Sequence, residues 1–168
     1  MSNIKNLAGQ TIWYGASSIA ARFLNYLLTP YLTATLSGPG YGEMSLVYAA
    51  IPFLNVIFTY GIETAYFRFS RNDGAQKDIY STASISVFCS TILLTTLLLL
   101  SGTNVAQWLK LDEHPEFITY SAFIIAFDTL STLPFAKLRQ QGKPKKFAFI
   151  RITSIVLTIA LTYFFISV

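Results

Sequence analysis

The chain has 168 residues, of which 53% are hydrophobic and only 12% are charged, whereas a soluble domain of this length has about a quarter of its residues charged. Its net charge of +4 does not indicate a nucleic-acid partner, because most basic residues lie in the connections on one side of the predicted membrane spans. A single cysteine, Cys89, excludes an internal disulfide framework. Charge-poor runs of bilayer length recur, and they predict an all-α polytopic membrane protein with about five transmembrane helices.

The first predicted span, residues 7–36, carries a polar face through an otherwise apolar segment. Ser18, Arg22, Asn25 and Thr29 follow one another at helical spacing, so they share one side of a helix. An arginine at the bilayer centre costs about 3 kcal/mol on insertion scales, so this face has to meet other protein or a water-filled cavity. Two interpretations stay open: a structural arginine tied to a neighbouring helix, or a cationic group lining a transport cavity.

The second predicted span covers residues 44–69 and follows a glycine-rich stretch, residues 37–43, that predicts a turn. Asn55, Thr59 and Glu63 recur every four residues and form a second polar face. Pro52 is a candidate kink. Glu63 has two interpretations, an interfacial ion pair with the nearby arginines or a functional carboxylate.

Three further spans are predicted at residues 79–100, 117–136 and 147–168. The hydroxyls of the third span are expected to bond to their own helix backbone, and we assign them no function. The polar connection of residues 102–116 holds the only histidine, His114, among three carboxylates. We interpret it as a solvated loop, because a metal site needs more ligands at fixed spacing. Asp128 lies near the middle of the fourth span, where a carboxylate is functional or paired.

The basic residues predict the orientation in the membrane. Those near the N-terminus, the second-to-third connection and the fourth-to-fifth connection are Lys5, Arg68, Arg71, Lys77, Lys137, Arg139, Lys143, Lys145, Lys146 and Arg151. The opposite side carries only Lys110. Basic residues concentrate on the cytoplasmic side of membrane proteins, so the N-terminus is expected in the cytoplasm.

The constellation of ionisable residues predicts transport rather than catalysis. Three spans carry an ionisable group at membrane depth: Arg22, Glu63 and Asp128. Polar faces on bent helices are what a solute pathway requires. One histidine in a loop and one cysteine in an apolar span supply no catalytic arrangement, and the glycine-rich stretch lacks the Lys-Ser/Thr of a phosphate loop. We therefore predict a protein that is not an enzyme and needs no cofactor or metal.

Three stretches carry a family resemblance: Arg22-Phe-Leu-Asn-Tyr-Leu-Leu-Thr-Pro30, Thr59-Tyr-Gly-Ile-Glu-Thr-Ala-Tyr-Phe-Arg-Phe69 and Leu133-Pro-Phe-Ala-Lys-Leu-Arg-Gln-Gln-Gly-Lys-Pro144. They resemble the first helix, the end of the second helix and the fourth-to-fifth connection of Wzx-type lipopolysaccharide and O-antigen flippases. Those flippases belong to the multidrug/oligosaccharidyl-lipid/polysaccharide exporter superfamily. The three stretches occur in the order that the family has, and the resemblance covers essentially the whole chain.

The resemblance implies a bacterial inner-membrane protein with two six-helix lobes around a cavity that opens alternately to either side. Its partners would be the lipid bilayer, a polyprenyl-pyrophosphate-linked oligosaccharide as cargo, and the polysaccharide assembly machinery. Arg22 stands where such flippases often place a first-helix arginine, which suits an anionic head group. With five of the six helices of a first lobe, residues 1–168 are expected to be the N-terminal part of a longer transporter.

Two alternatives remain open at this point. A cation-coupled multidrug-type exporter of the same superfamily would favour acidic over basic cavity residues, and Arg22 argues against it. A small membrane scaffold protein without transport activity is the alternative from another class. Under the flippase interpretation the residues predicted to line the cavity are Ser18, Arg22, Asn25, Thr29, Asn55, Thr59, Glu63 and Asp128.

Overall fold

The computed structural model describes residues 15–16, 19, 23, 26, 29–35, 38–70, 76–111 and 113–167. The described residues below 36 are helical, and no strand occurs in the described part of the chain. Six helices with defined bounds follow: α1 Gly38–Thr59, α2 Ile62–Phe69, α3 Gln76–Leu100, α4 Gly102–Trp108, α5 Glu116–Gln140 and α6 Pro144–Ser167. The predicted all-α fold class is confirmed.

Among the described residues, four helical segments are long and apolar enough to cross a membrane: Gly40–Phe69, Asp78–Leu100, Glu116–Gln140 and Pro144–Phe165. They overlap the predicted second to fifth spans in the sequence. The predicted first span, residues 7–36, lies largely outside the described residues. Four membrane-length helices identify the chain as a polytopic membrane protein.

The glycine-rich stretch before the second span is helical, so the turn predicted at residues 37–43 is wrong. Helix α1 already begins at Gly38. A glycine within a helix costs about 1 kcal/mol relative to alanine. An unsatisfied backbone group at a membrane costs several kcal/mol, so the backbone gains more from helical hydrogen bonds than glycine loses.

The second span is interrupted at Tyr60 and Gly61, well beyond the proline. Helix α1 contains Pro52 and ends at Thr59. Tyr60 and Gly61 then adopt positive φ angles of 34° and 73°, and α2 begins at Ile62. The Tyr60 amide still donates to the Val56 carbonyl at 3.0 Å. Glycine has no Cβ to clash in this conformation, which explains why the interruption falls at a glycine.

The described residues divide into a central unit, Gly42–Lys137, and a terminal unit drawn from Met1–Tyr41 and Leu138–Val168. Within the central unit the buried apolar side chains form three clusters. The first cluster is Ala106, Leu111 and Ile118, the second Ile51, Phe58 and Ile125, and the third Tyr66, Ala83, Val87, Leu133 and Ala136. Helix α5 contributes a buried side chain to all three clusters. Helix α3 contributes Ala83 and Val87 to the third cluster, and its partly buried Leu98 packs against the first and second, so these helices hold the central unit together.

The connection between α5 and α6 is a tight turn in the terminal unit. Gly142 has a φ of 60° and donates to the Arg139 carbonyl at 3.1 Å, while the Lys143 amide donates to the Leu138 carbonyl at 3.1 Å. These two bonds form a Schellman motif, which ends a helix with a left-handed glycine. Pro144 then starts α6, since a proline at the first helical position loses no hydrogen bond.

We predict that Gly61→Ala lowers the free energy of unfolding by about 1 kcal/mol, because alanine disfavours a positive φ. No atom lies within 4 Å of the added methyl group, so the loss comes from the backbone alone. Gly42→Ala is the matched control, because Gly42 lies within α1 and also has open space. Alanine should stabilise that position by up to about 1 kcal/mol. Unfolding in mixed detergent micelles, followed by circular dichroism, measures both; effects of the same sign would contradict the prediction.

Candidate functional site

The predicted polar face of the first span lies mostly beyond what the structure describes. Ser18, Arg22 and Asn25 fall outside the described residues. Thr29 is described, and it is helical and exposed in the terminal unit. Its carbonyl accepts a hydrogen bond of 2.6 Å from the Thr33 hydroxyl. The role of this face therefore stays a prediction.

The predicted face of the second span has two different environments. The Thr59 hydroxyl donates to the Asn55 carbonyl at 2.7 Å, so its proton is already used within the helix. The side-chain oxygen of Asn55, in contrast, is buried and accepts no hydrogen bond from any described residue. A buried amide oxygen without a donor costs about 1–3 kcal/mol, which makes Asn55 the more notable of the two positions.

Three threonine hydroxyls are, like the Asn55 oxygen, buried and without a hydrogen-bond partner among the described residues. Thr91, Thr95 and Thr129 have buried hydroxyl oxygens that form no hydrogen bond within the described part of the chain. Thr129 lies one turn from Ile125 of the second cluster and one turn from Leu133 of the third. Thr91 similarly follows Val87 by one turn. We call Asn55, Thr91, Thr95 and Thr129 the polar layer. Thr91 and Thr129 lie in sequence between residues of the second and third clusters, whereas Asn55 and Thr95 lie among residues of the second cluster.

Sequence reasoning missed the contribution of α3 to this layer. Two of its hydroxyls do bond to their own backbone, Ser90 to the Val87 carbonyl at 3.1 Å and Thr96 to the Ile92 carbonyl at 2.8 Å. Ser86 instead forms a hydrogen bond of 2.9 Å with the Tyr60 hydroxyl, which ties α3 to the interruption after α1. The available signal was the spacing: Thr91 and Thr95 lie one turn apart and follow the buried Val87 at helical intervals.

The two predicted carboxylates occupy helix positions of different exposure. Glu63 lies in the first turn of α2 and is half-buried. A negative side chain is favourable there, because the amino-terminal end of a helix carries partial positive charge. Asp128 is exposed on α5, and its carbonyl accepts bonds from the hydroxyls of Ser131 at 2.8 Å and Thr132 at 3.2 Å. Both carboxylates remain predicted cavity residues.

The central unit also contains two apolar clefts. One, of about 230 Å³, lies between α1 and α5 and is lined by Met44, Val47, Tyr48, Ile51, Phe117, Tyr120, Ser121 and Ile124. The other, of about 430 Å³, lies between α2 and α3 and is lined by Ile62, Ala65, Tyr66, Phe69, Asp78, Ile79, Thr82, Ala83 and Ser86. Of the predicted site residues that the structure describes, none lines either cleft. Both clefts suit apolar chains better than sugars.

His114 joins the amino-terminal ends of two membrane-length helices. Its Nδ1 lies 3.0 Å from Oε1 of Glu116 at the start of α5, and its Nε2 lies 4.0 Å from Oε2 of Glu43 near the start of α1. The imidazole stacks on Phe117 with 5.1 Å between ring centroids. The hydrogen bond to Glu116, reinforced by the charges of Glu116, Glu43 and Glu113, raises the pKa of His114 above its ordinary value. Protonation therefore strengthens the link between the two helices.

The raised pKa of His114 predicts a pH-dependent contribution to stability. Its stabilisation is fully present below the ordinary histidine pKa of about 6.5 and is lost as the pH rises through the raised pKa of the folded protein. Wild type should therefore exceed His114→Gln in free energy of unfolding at about pH 5, and the difference should shrink towards about pH 9. Unfolding titrations in micelles across this range measure the difference. When both proteins also carry Glu116→Gln, the difference in free energy of unfolding caused by His114→Gln should vary much less with pH. If that difference is independent of pH when Glu116 is present, His114 does not link the two helices in this way.

Comparison with known proteins bears on the function of this arrangement. Searches of curated proteins and of solved structures gave no match. The sequence model of the family described as "Polysaccharide biosynthesis protein" matches residues 7–168. This match covers nearly the whole chain, including all four membrane-length helices. The chain therefore belongs to the polysaccharide biosynthesis protein family.

Proposed function

We propose that this chain forms part of a flippase that moves polyprenyl-pyrophosphate-linked oligosaccharide from the inner to the outer leaflet of a bacterial cytoplasmic membrane. The observation that carries the proposal is the family match over residues 7–168, on a chain with four membrane-length helices. Polysaccharide precursors are built on lipid carriers, so a polytopic member of this family without a recognisable catalytic motif is best explained as a transporter. In this proposal the chain supplies most of the first six-helix lobe, and it acts in lipopolysaccharide, O-antigen or capsule biosynthesis.

The chemistry of the cargo explains the residues that we assign to the pathway. A pyrophosphate needs cationic donors, and sugar hydroxyls need neutral donors and acceptors. Arg22 offers a planar fork of donors suited to phosphate oxygens, with Ser18, Asn25 and Thr29 as its neighbours on one face. Asn55, Thr59, Glu63 and Asp128 supply further polar groups. The buried, unpartnered oxygen of Asn55 supports this assignment because it is available to a donor from outside the described helices.

Alternating access requires helices that can change their packing, and two features of the central unit support it. The Tyr60–Gly61 interruption separates α1 from α2, so the two segments can change their angle at a small cost in hydrogen bonds. The polar layer places hydroxyl and amide groups among the apolar side chains of the second and third clusters. Helix contacts made by such groups can exchange partners during a movement.

We also propose that the N-terminus and the α5–α6 turn lie in the cytoplasm, on the basis of the basic residues near them. After replacement of Cys89 by Ser, single cysteines at Gly40 and at Glu113 should react with an impermeant thiol reagent in intact cells. A cysteine at Lys143 should react only after the cells are opened. Labelling of Lys143 alone in intact cells would reverse the orientation.

Arg22 provides the test of the cargo. In a strain whose own copy of the gene is deleted, the gene carrying Arg22→Ala should restore almost no surface polysaccharide, and Arg22→Lys should restore part of it. A lysine keeps the charge but loses the planar fork. Protein level in the membrane should be normal for Arg22→Lys, which keeps the charge, and normal or higher for Arg22→Ala, which removes a charge that is costly in a membrane span. Surface polysaccharide and membrane level are measured in parallel.

Arg151→Ala is the matched control, since Arg151 is exposed near the start of α6 and should support normal surface polysaccharide. Full restoration by Arg22→Ala would make Arg22 a structural residue and contradict the cationic pathway. Normal surface polysaccharide in the deleted strain, together with increased sensitivity to cationic drugs, would instead favour a multidrug-type exporter. Loss of polysaccharide with unimpaired translocation of the lipid-linked precursor would favour a scaffold.

A further inference from the structure

The turn between α5 and α6 presents three lysines that form no ion pair in the part of the chain that the structure describes. Lys143, Lys145 and Lys146 are all exposed. The Lys143 amine is 2.8 Å from the neutral side-chain oxygen of Gln141, and none of the three forms an ion pair with a described residue. Residues 138–168 contain no aspartate or glutamate at all. The positive charge of this turn is therefore open to an external anion.

The local backbone adds positive potential near these lysines, which favours a bound anion. Lys145 and Lys146 lie in the first turn of α6, which contains no acidic residue. The start of a helix carries partial positive charge, so lysines there are electrostatically unfavourable in isolation. Lys137 offers a contrast within the same sequence region, because its Nζ lies 3.8 Å from the centre of the Tyr80 ring. That cation already interacts with an aromatic ring, whereas the three lysines of the turn form no ion pair with any described residue.

The face of α6 below these lysines indicates what kind of anion they meet. Lys146 shares a helix face with Ile150, Leu157 and Leu161, at spacings of four, eleven and fifteen residues. These apolar side chains are 45%, 53% and 46% exposed. Ala148 and Ile155, on the other side of α6, are buried. A cation directly above an exposed apolar strip of a membrane-length helix matches a lipid, with its head group at the lysine and its acyl chain along the strip.

We propose that Lys143, Lys145 and Lys146, together with the Ile150–Leu157–Leu161 strip, form a binding surface for an anionic phospholipid. The rigid turn is part of this surface, because the Schellman motif at Gly142 fixes the backbone that carries Lys143. The inference concerns membrane lipid and not cargo, so it stands whether or not the flippase proposal is correct. A lysine close to an anionic membrane surface contributes about 1 kcal/mol, enough for a measurable lipid preference from three.

The test is the preference of the full chain for anionic lipid. The protein is reconstituted in phosphatidylcholine bilayers, and the association of spin-labelled phosphatidylglycerol is compared with that of spin-labelled phosphatidylcholine by electron paramagnetic resonance. Wild type should prefer phosphatidylglycerol several-fold. Lys146→Gln should lower the ratio by up to about fivefold, and the triple change Lys143→Gln, Lys145→Gln, Lys146→Gln should bring it close to one. The triple change to arginine should keep the wild-type ratio, because it keeps the charge.

Lys110→Gln is the matched control, since Lys110 is exposed in the connection before α5 and lies outside the proposed surface. It should leave the preference unchanged. An equal loss in Lys110→Gln would show a response to net charge, and an unchanged ratio in the triple glutamine variant would overturn the proposal. Inorganic phosphate is added in a separate arm. Its failure to displace the labelled lipid supports a surface for the whole lipid, and complete displacement at millimolar phosphate would contradict it.

Discussion

The absence of water inside a bilayer is the constraint on which this structure depends. A backbone polar group that loses water must find its partner within the protein, and helices satisfy this requirement within one segment. The constraint explains why the glycine-rich start of α1 is helical despite its composition. It also explains why the Tyr60–Gly61 interruption keeps hydrogen bonds on both sides, from Tyr60 to Val56 and from Ala65 to Gly61.

The same constraint makes the buried oxygens of the polar layer energetically costly. Asn55, Thr91, Thr95 and Thr129 place buried side-chain oxygens among the apolar clusters of the central unit, where a leucine or valine would pack without a desolvation cost. An all-apolar layer would hold α1, α3 and α5 in one arrangement, since close packing does not deform continuously. Hydroxyl and amide groups can exchange hydrogen-bond partners when helices move, and they carry no charge that would make the exchange costly. Such a layer is compatible with the changes in helix packing that the proposed flippase requires.

Much of the fold could be predicted from the sequence, because hydropathy over twenty residues is a strong signal and bilayer thickness fixes helix length. Positions within a helix were harder to predict. Ser90 and Thr91 are adjacent in the sequence, yet the Ser90 hydroxyl bonds to its own helix backbone, whereas the buried Thr91 hydroxyl forms no hydrogen bond with a described residue. Only the packing of neighbouring helices distinguishes them. Asn55 was identified from its spacing, whereas the interruption at Gly61 depends on backbone angles that composition does not reveal. Arg22, the residue most important to the sequence argument, lies outside the described residues.

Charged side chains lie near both ends of α5, whereas the polar layer of the membrane helices is neutral, and an anionic cargo would meet both. His114 lies just before α5 begins, and it contacts Glu43 and Glu116. Lys143, Lys145 and Lys146 lie just after α5 ends. Charged groups therefore flank both ends of α5. A helix of 25 residues has a length of roughly 37 Å at 1.5 Å per residue, which exceeds the hydrocarbon thickness of about 30 Å. Both charged groups can thus reach the head-group regions, while the polar layer within the hydrocarbon region is neutral. In the proposed mechanism, an anionic cargo meets the groups predicted at membrane depth, Arg22, Glu63 and Asp128, and only the arginine attracts it. Arg22 is therefore the residue on which binding of the pyrophosphate depends in the proposed mechanism.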